Sequence, residues 1–267
     1  MTISTVVSKD GTTITYEKIG SGPAVVLVDG AFCTRDMGPC RPVATELADN
    51  YTVYFYDRRG RGESGDTQPY DPQREIEDLE AVAAEAGEPV SLCAFSSGVP
   101  LVLAAVRSGL AVHKLALYEF PLVIDDSART PVPADYHRRI QDFIDAGDNS
   151  GAIKYFMHTG IGLNSLIVAL FPLMPGYSKL ERTAPTLTYD NRFMGDALTG
   201  SPIPAGRYDF VTVPTTVYYG SKSPQWMRDG NTALGQTIPD AHTVELPKQT
   251  HQVKAKRFVP TLKEFLK

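Results

Sequence analysis

In the stretch LCAFSSGVP, Leu92 to Pro100, Ser96 stands between an apolar run and a row of small residues, in the form Ala94-x-Ser96-x-Gly98. Small residues two positions either side of a serine let a strand turn sharply into a helix while the hydroxyl is held outward. A serine hydroxyl is a poor nucleophile at neutral pH. The chemistry therefore also needs an imidazole as general base, and an acceptor to hold the other imidazole nitrogen. The chain offers five histidines, His113, His137, His158, His242 and His251. The acceptor is harder to find. The stretch GSKSPQWM, Gly220 to Met227, follows an apolar strand and contains no carboxylate on its first turn, whereas Glu119 ends the run KLALYEFP.

These residues must be positioned by elements, and the pattern predicts them in alternation. Strands are expected at Thr12–Ile19, Ala24–Val28, Tyr51–Tyr56, Val90–Phe95, His113–Tyr118, Thr215–Tyr219 and His242–Leu246. Helices are expected at Arg41–Asp49, at Asp71–Ala86 (with Ile76, Leu79, Val82 and Ala83 on one face and Gly87 as the stop), at Ser97–Ser108 and at Gln252–Leu266. Alternation of this kind predicts an α/β fold with a mostly parallel central sheet covered by helices. Between Pro121 and Asp209 the pattern changes to short helices broken by Pro and Gly, the clearest at Ala134–Ala146, Ser150–His158 and Asn164–Phe171. The expected organisation is a core of residues 1–120 and 210–267 carrying a helical lid of residues 121–209.

Bulk properties narrow the partners. A chain of 267 residues with 42% hydrophobic residues can bury a substantial core. The net charge of −5 gives no footprint for nucleic acid or an anionic membrane, both of which call for concentrated Lys and Arg. No secretory signal is recognisable at the N-terminus, and no apolar run approaches the roughly 18 residues that span a bilayer. Cys33, Cys40 and Cys93 make neither a disulfide framework nor a metal-ligand spacing, so a reducing cytoplasm is the expected compartment. The expected partner is a small-molecule substrate, a homodimer is left open, and neither metal nor cofactor is implied.

The segments VVLVDGAF, YDRRGRGES, the Ser96 turn and QTHQV occur in an order that resembles the α/β-hydrolase fold superfamily, in its helically capped, serine-dependent form, over essentially the whole length. The resemblance implies that His251, after the last strand, is the base, and that the other four histidines are ordinary imidazoles. It implies that the backbone N–H groups of Ala31 and Ser97 form the oxyanion hole. Asp29 stands where such proteins commonly carry histidine; an ionised carboxylate there would oppose the oxyanion, so its side chain is expected to turn away and tie the loop to neighbouring N–H groups. Asp57 to Ser64 is expected to be a structural turn. The aspartate usual after the strand PTTVYYG is replaced by Ser221, Lys222 and Ser223. Glu119, at the C-terminal end of the preceding strand, is the expected acid, with Asp29 and Asp57 as the alternatives and a lid-hinge role as the plainer reading of Glu119.

The resulting expectation is a serine hydrolase that cleaves a carboxylic ester or lactone through an acyl-enzyme. A serine nucleophile argues against the aspartate-dependent chemistry of epoxide hydrolases and dehalogenases. A C–C bond hydrolase, lyase or perhydrolase using the same triad is the alternative, as is a non-catalytic small-molecule binding protein. Phe32, Phe171 and Met174 are the expected substrate contacts, the last two within a lid surface that also offers Phe156, Met157, Leu166, Leu170, Leu173 and Tyr177.

Overall fold

The computed structural model describes residues 2–87 and 89–267. Its strands are β1 (Thr2–Val7), β2 (Thr13–Gly20), β3 (Ala24–Val28), β4 (Thr52–Tyr56), β5 (Val90–Phe95), β6 (Val112–Tyr118), β7 (Thr215–Gly220) and β8 (His242–Leu246). Among the described residues they form one sheet in the order β1-β2-β4-β3-β5-β6-β7-β8. β1 with β2 and β2 with β4 are antiparallel, and every pairing from β4 to β8 is parallel.

Strand alternation divides the core into two layers. Val26 and Val28 of β3, Leu92 and Ala94 of β5 and Leu115 and Leu117 of β6 face one side, packed with helices α2 (Pro72–Ala86) and α3 (Gly98–Arg107). Val25, Leu27, Cys93, Phe95, Ala116 and Tyr118 face the other, packed with α1 (Cys40–Leu47) and the C-terminal helix (Ala255–Leu266). β5 is buried at every position, as a central parallel strand covered on both faces must be. α2 is started by Asp71, which accepts from the Gln73 N–H at 2.9 Å, with Pro72 in the first turn, and is stopped by Gly87 at φ +82°.

Between β6 and β7 the described chain forms only helices: α4 (Tyr136–Asp145), α5 (Asn149–Tyr155) running into a π-helical turn (Phe156–Gly160), α6 (Ser165–Leu170), α7 (Tyr177–Thr183) and α8 (Leu187–Met194), with short 3-10 turns at Phe171–Leu173 and Ala184–Thr186. Helix α9 (Gln225–Thr237) joins β7 to β8, and the C-terminal helix becomes α10. Among the described residues no helix is long and apolar enough to cross a membrane. The chain runs from β3 to β4 on one side and returns to β5 on the other, so the loops after β3 and β5 flank the point where strand order reverses. In open parallel sheets that crevice, at the carboxyl ends of the strands, is where ligands bind.

Candidate active site

The turn from β5 into α3 holds Ser96 at φ +53°, a conformation uncommon for a residue with a Cβ. Its N–H is fixed by the Tyr118 carbonyl at 2.9 Å, and its carbonyl accepts from the Val99 N–H at 3.0 Å. Two glycines let the neighbouring loop approach. A Cβ on Gly98 would meet the Val28 carbonyl oxygen at 2.7 Å, and one on Gly30 would meet the Ser96 Cβ at 2.9 Å. Phe32 and Glu119 also have positive φ, at +63° and +48°, so the backbone is bent at the carboxyl ends of β3, β5 and β6 alike. Among the described residues the Ser96 hydroxyl, which is partly exposed, has no hydrogen-bond partner.

Glu119 is completely buried, and its carboxylate is shared by three donors. His251 Nδ1 lies 2.8 Å from Oε2; the Gly220 N–H donates to Oε1 at 2.6 Å; the Ser223 hydroxyl donates to the same oxygen. With Nδ1–H donating to the carboxylate, Nε2 of the neutral imidazole is left as the free acceptor. The loop carrying His251 is held by Tyr118, whose hydroxyl donates to the Thr250 carbonyl at 2.7 Å, and by the Lys222 N–H, which donates to the Gln249 carbonyl at 2.8 Å. Only glycine fits at 220, where a Cβ would lie 2.4 Å from the Gln249 carbonyl.

Of the three carboxylates weighed in the sequence, the structure brings Glu119 alone to His251. Asp57 accepts from the Arg35 N–H at 2.7 Å, from Arg35 Nε at 2.9 Å and from the Glu63 N–H at 3.0 Å. Asp29 is buried with Oδ1 unpartnered among the described residues, and Cys40 hydrogen-bonds its carboxyl group. Burial pushes its pKa up to about 7, against the lowering effect of Cys40, Arg61 and Arg58. The expectation that Asp29 ties the loop to neighbouring N–H groups is met only in part: Cys40 reaches the carboxyl group, and Oδ1 is left without a partner among the described residues.

A correction concerns the backbone donors. The Ala31 N–H is already engaged, donating to Ser97 Oγ at 2.8 Å. The next N–H, that of Phe32, and the N–H of Ser97 have no partner among the described residues. Ser97 Oγ in turn donates to Asp190 Oδ1 at 2.9 Å, and Asp190 belongs to α8. The same carboxylate accepts from Arg58 Nη1 at 2.7 Å and Arg61 Nη2 at 2.5 Å, while Arg61 Nη1 donates to the Gly30 carbonyl at 2.6 Å. Burial raises the Asp190 pKa, but Arg61 and Arg58 outweigh it and hold the group below its ordinary value. The turn Asp57 to Ser64 is thus structural, and it satisfies carboxylates more than loop backbone. Asp190 carried no sequence signal, since its partners lie far away along the chain.

The chain matches the model of the alpha/beta hydrolase family over residues 25–258. It belongs to the alpha/beta hydrolase family. An alpha/beta hydrolase from Sphaerobacter thermophilus DSM 20745 superposes on it with a TM-score of 0.91 at 44% identity, covering 99% of this chain and 100% of that one. Two further structures share the fold. The esterase EaEST from Exiguobacterium antarcticum has a TM-score of 0.70 at 20% identity, with 98% of each chain covered. The 2-hydroxy-6-oxo-6-phenylhexa-2,4-dienoate hydrolase from Rhodococcus sp. strain RHA1 has a TM-score of 0.66 at 18% identity, with 99% of each covered.

In this alpha/beta hydrolase the three expected substrate contacts part company. Phe32 is buried and meets Phe156 edge-on at 5.3 Å between ring centroids, and Phe171 packs against the main core. Met174 is 55% exposed, beside Leu173 at 80%, so the structure does not bring it to the site. Two open surface depressions, one lined by Val7, Lys9, Glu77 and Leu110 and the other by Arg139, Asp142, Phe143 and Tyr155, lie apart from Ser96, Glu119 and His251. The chemistry points to the strand-end crevice instead.

Proposed function

We propose that this alpha/beta hydrolase cleaves a carboxylic ester or lactone by way of a Ser96 acyl-enzyme. The observation that carries the reading is the Glu119 carboxylate 2.8 Å from His251 Nδ1, because it fixes the tautomer in which Nε2 can take a proton. Nε2 removes the Ser96 proton as Oγ attacks the substrate carbonyl, and the carbonyl oxygen becomes an oxyanion held by the N–H groups of Ser97 and Phe32. The imidazolium, stabilised by Glu119, returns the proton to the departing alcohol oxygen. Water, deprotonated by the same nitrogen, then breaks the acyl–serine bond, and the carboxylic acid leaves. Residues 121–209 act as the lid over this site, with Phe171 among the residues that meet the acyl group.

The test is covalent. A fluorophosphonate is expected to add to Ser96, and Ser96→Ala is expected to abolish both labelling and the hydrolysis of a short p-nitrophenyl ester. An adduct mapped to Ser97 or to a tyrosine, with Ser96→Ala still active, would overturn the reading.

A further inference from the structure

The four buried arginines among the described residues are paired with carboxylates, whereas the half-buried Arg129 is not. Arg35, Arg58, Arg59 and Arg61 each contact Asp or Glu within hydrogen-bond distance. Arg129, in the segment between β6 and α4, has no acidic partner among the described residues. Its Nη2 donates to the Thr159 and Gly160 carbonyls at 2.8 and 2.6 Å. Its Nη1 is buried and unpartnered, and the Trp226 ring lies 4.6 Å from the guanidinium carbon. Burial draws its pKa below the ordinary value, yet an arginine remains a cation.

The second observation is independent. Tyr136 is 1% exposed, and its hydroxyl is also buried and unpartnered. Both groups border Gly160, which is why only glycine fits there: a Cβ would lie 2.1 Å from the Tyr136 hydroxyl, while Arg129 holds the Gly160 carbonyl. A buried polar group left without a partner is costly, and here two such groups belong to residues that border the same glycine, an arrangement that a polar ligand would satisfy.

That spot is tied to the candidate active site from two directions. Gly160 closes the π-helical turn that begins at Phe156, and Phe156 packs on Phe32 of the loop after β3. π-Helical turns occur frequently at functional sites. On the other side, Trp226 stands at the start of α9, three residues after Ser223, which donates to Glu119.

We propose that Arg129 Nη1 and the Tyr136 hydroxyl bind a carboxylate, so that the substrate carries a carboxylate on its acyl portion, roughly one helical turn (about 5 Å) beyond the Phe32–Phe156 contact. The substrate assignment rests on the hydrolase reading, whereas the binding site does not. A guanidinium edge and one hydroxyl match the two oxygens of a carboxylate. With a single cation and aromatic walls, the site does not suit a phosphate dianion.

Trp226 is the only tryptophan in the chain and lies against the guanidinium, so its fluorescence reports the site without catalysis. Titration with sodium pentanoate is expected to give a saturable change in emission, with pentanamide binding at least about tenfold more weakly. Arg129→Gln should abolish the pentanoate response and Tyr136→Phe should weaken it several-fold; circular dichroism checks folding, and Arg129→Lys, which keeps the charge, should retain part of the response. Equal responses to pentanoate and pentanamide, or an unchanged response in Arg129→Gln, would overturn the site. In turnover, the ratio of kcat/KM for p-nitrophenyl hemisuccinate to that for p-nitrophenyl butyrate is expected to fall at least about tenfold in Arg129→Gln. An equal loss on both esters makes Arg129 a packing residue and sinks the substrate assignment. If neither ester is hydrolysed and Ser96 resists labelling, the hydrolase reading fails, and the fluorescence titration still decides the carboxylate site.

Discussion

Ser223, at the strand end where the sequence pattern leads one to expect an aspartate, donates its hydroxyl to the Glu119 carboxylate. In the proposed triad the acid therefore lies at the end of β6 rather than the end of β7, where its carboxylate meets His251 Nδ1 at 2.8 Å. Glu119→Gln is expected to cut kcat by about 10²- to 10⁴-fold with the fold intact, since an amide cannot stabilise the imidazolium and favours the wrong tautomer. Ser223→Asp alone should also slow turnover, because it sets two carboxylates in contact and drives one of them neutral. Combined with Glu119→Gln, the same substitution is expected to restore part of the rate. Near wild-type turnover of Glu119→Gln, measured with circular dichroism as the control, removes Glu119 from the mechanism.

Among the described residues His251 is the only histidine brought to Glu119, and His242 stands exposed at the start of β8. His251→Ala should lower the chemical step by at least about 10³-fold while a non-reactive ester analogue still binds. His242→Ala should change kcat/KM by less than about twofold. Steady-state kinetics of the two variants side by side decide the assignment, and a reversed order of losses contradicts it.

Much of this site was legible in the sequence because its parts sit at element boundaries. The apolar run of β5 followed by small residues marked Ser96, and a strand ending in a lone carboxylate marked Glu119. β1 was not recognised, since it is an edge strand exposed along most of its length and offers no apolar face to read. Helix α9 was hidden by Gly230 and Gly235, which break the helical pattern yet are required by packing: a Cβ on Gly230 would meet the Leu122 carbonyl at 2.3 Å, and one on Gly235 the Thr243 hydroxyl at 2.0 Å. α8 was hidden for the opposite reason. Its buried residues include Asp190 and Asn191, so hydrophobic periodicity could not reveal an element whose inner face serves the buried arginines. The preference for the Phe32 N–H over that of Ala31 depends on a serine hydroxyl 66 positions further along the chain.

The path Asp190–Ser97–Ala31 joins α8 to the loop after β3 through two hydrogen bonds, of 2.9 and 2.8 Å. Ser97→Ala should leave the Ala31 N–H without its acceptor, loosening the loop that presents the Phe32 N–H. The expected result is a fall in kcat of about tenfold with a much smaller change in KM, for a stability loss of about 1 to 2 kcal/mol. Asp190→Ala strips both Arg58 and Arg61 of a shared buried carboxylate and should cost about 3 to 5 kcal/mol. Urea denaturation and steady-state kinetics on the same samples separate the two effects. A matched fall in kcat and kcat/KM for Ser97→Ala would fit the loop argument, and a change confined to KM would not.

Asp29 makes stability depend on pH in a direction opposite to that of most carboxylates. Burial pushes its pKa up to about 7, whereas in the unfolded chain the group titrates near the ordinary 3.8. Between those values the native protein holds a proton that the unfolded chain has released. By linkage, the Asp29 contribution favours folding most below about pH 4, declines as pH rises toward 7, and is fully lost above the native value. Asn at this position keeps the shape without the proton, so Asp29→Asn should be relatively more stable the higher the pH. The difference in unfolding free energy between variant and wild type is expected to move in favour of the variant by roughly 2 to 4 kcal/mol from pH 4.5 to pH 8. Urea titrations at half-unit pH intervals provide the measurement. Parallel stability curves for the two proteins would show that Asp29 is ionised throughout the range and that the loop beside Ser96 is held by a carboxylate after all.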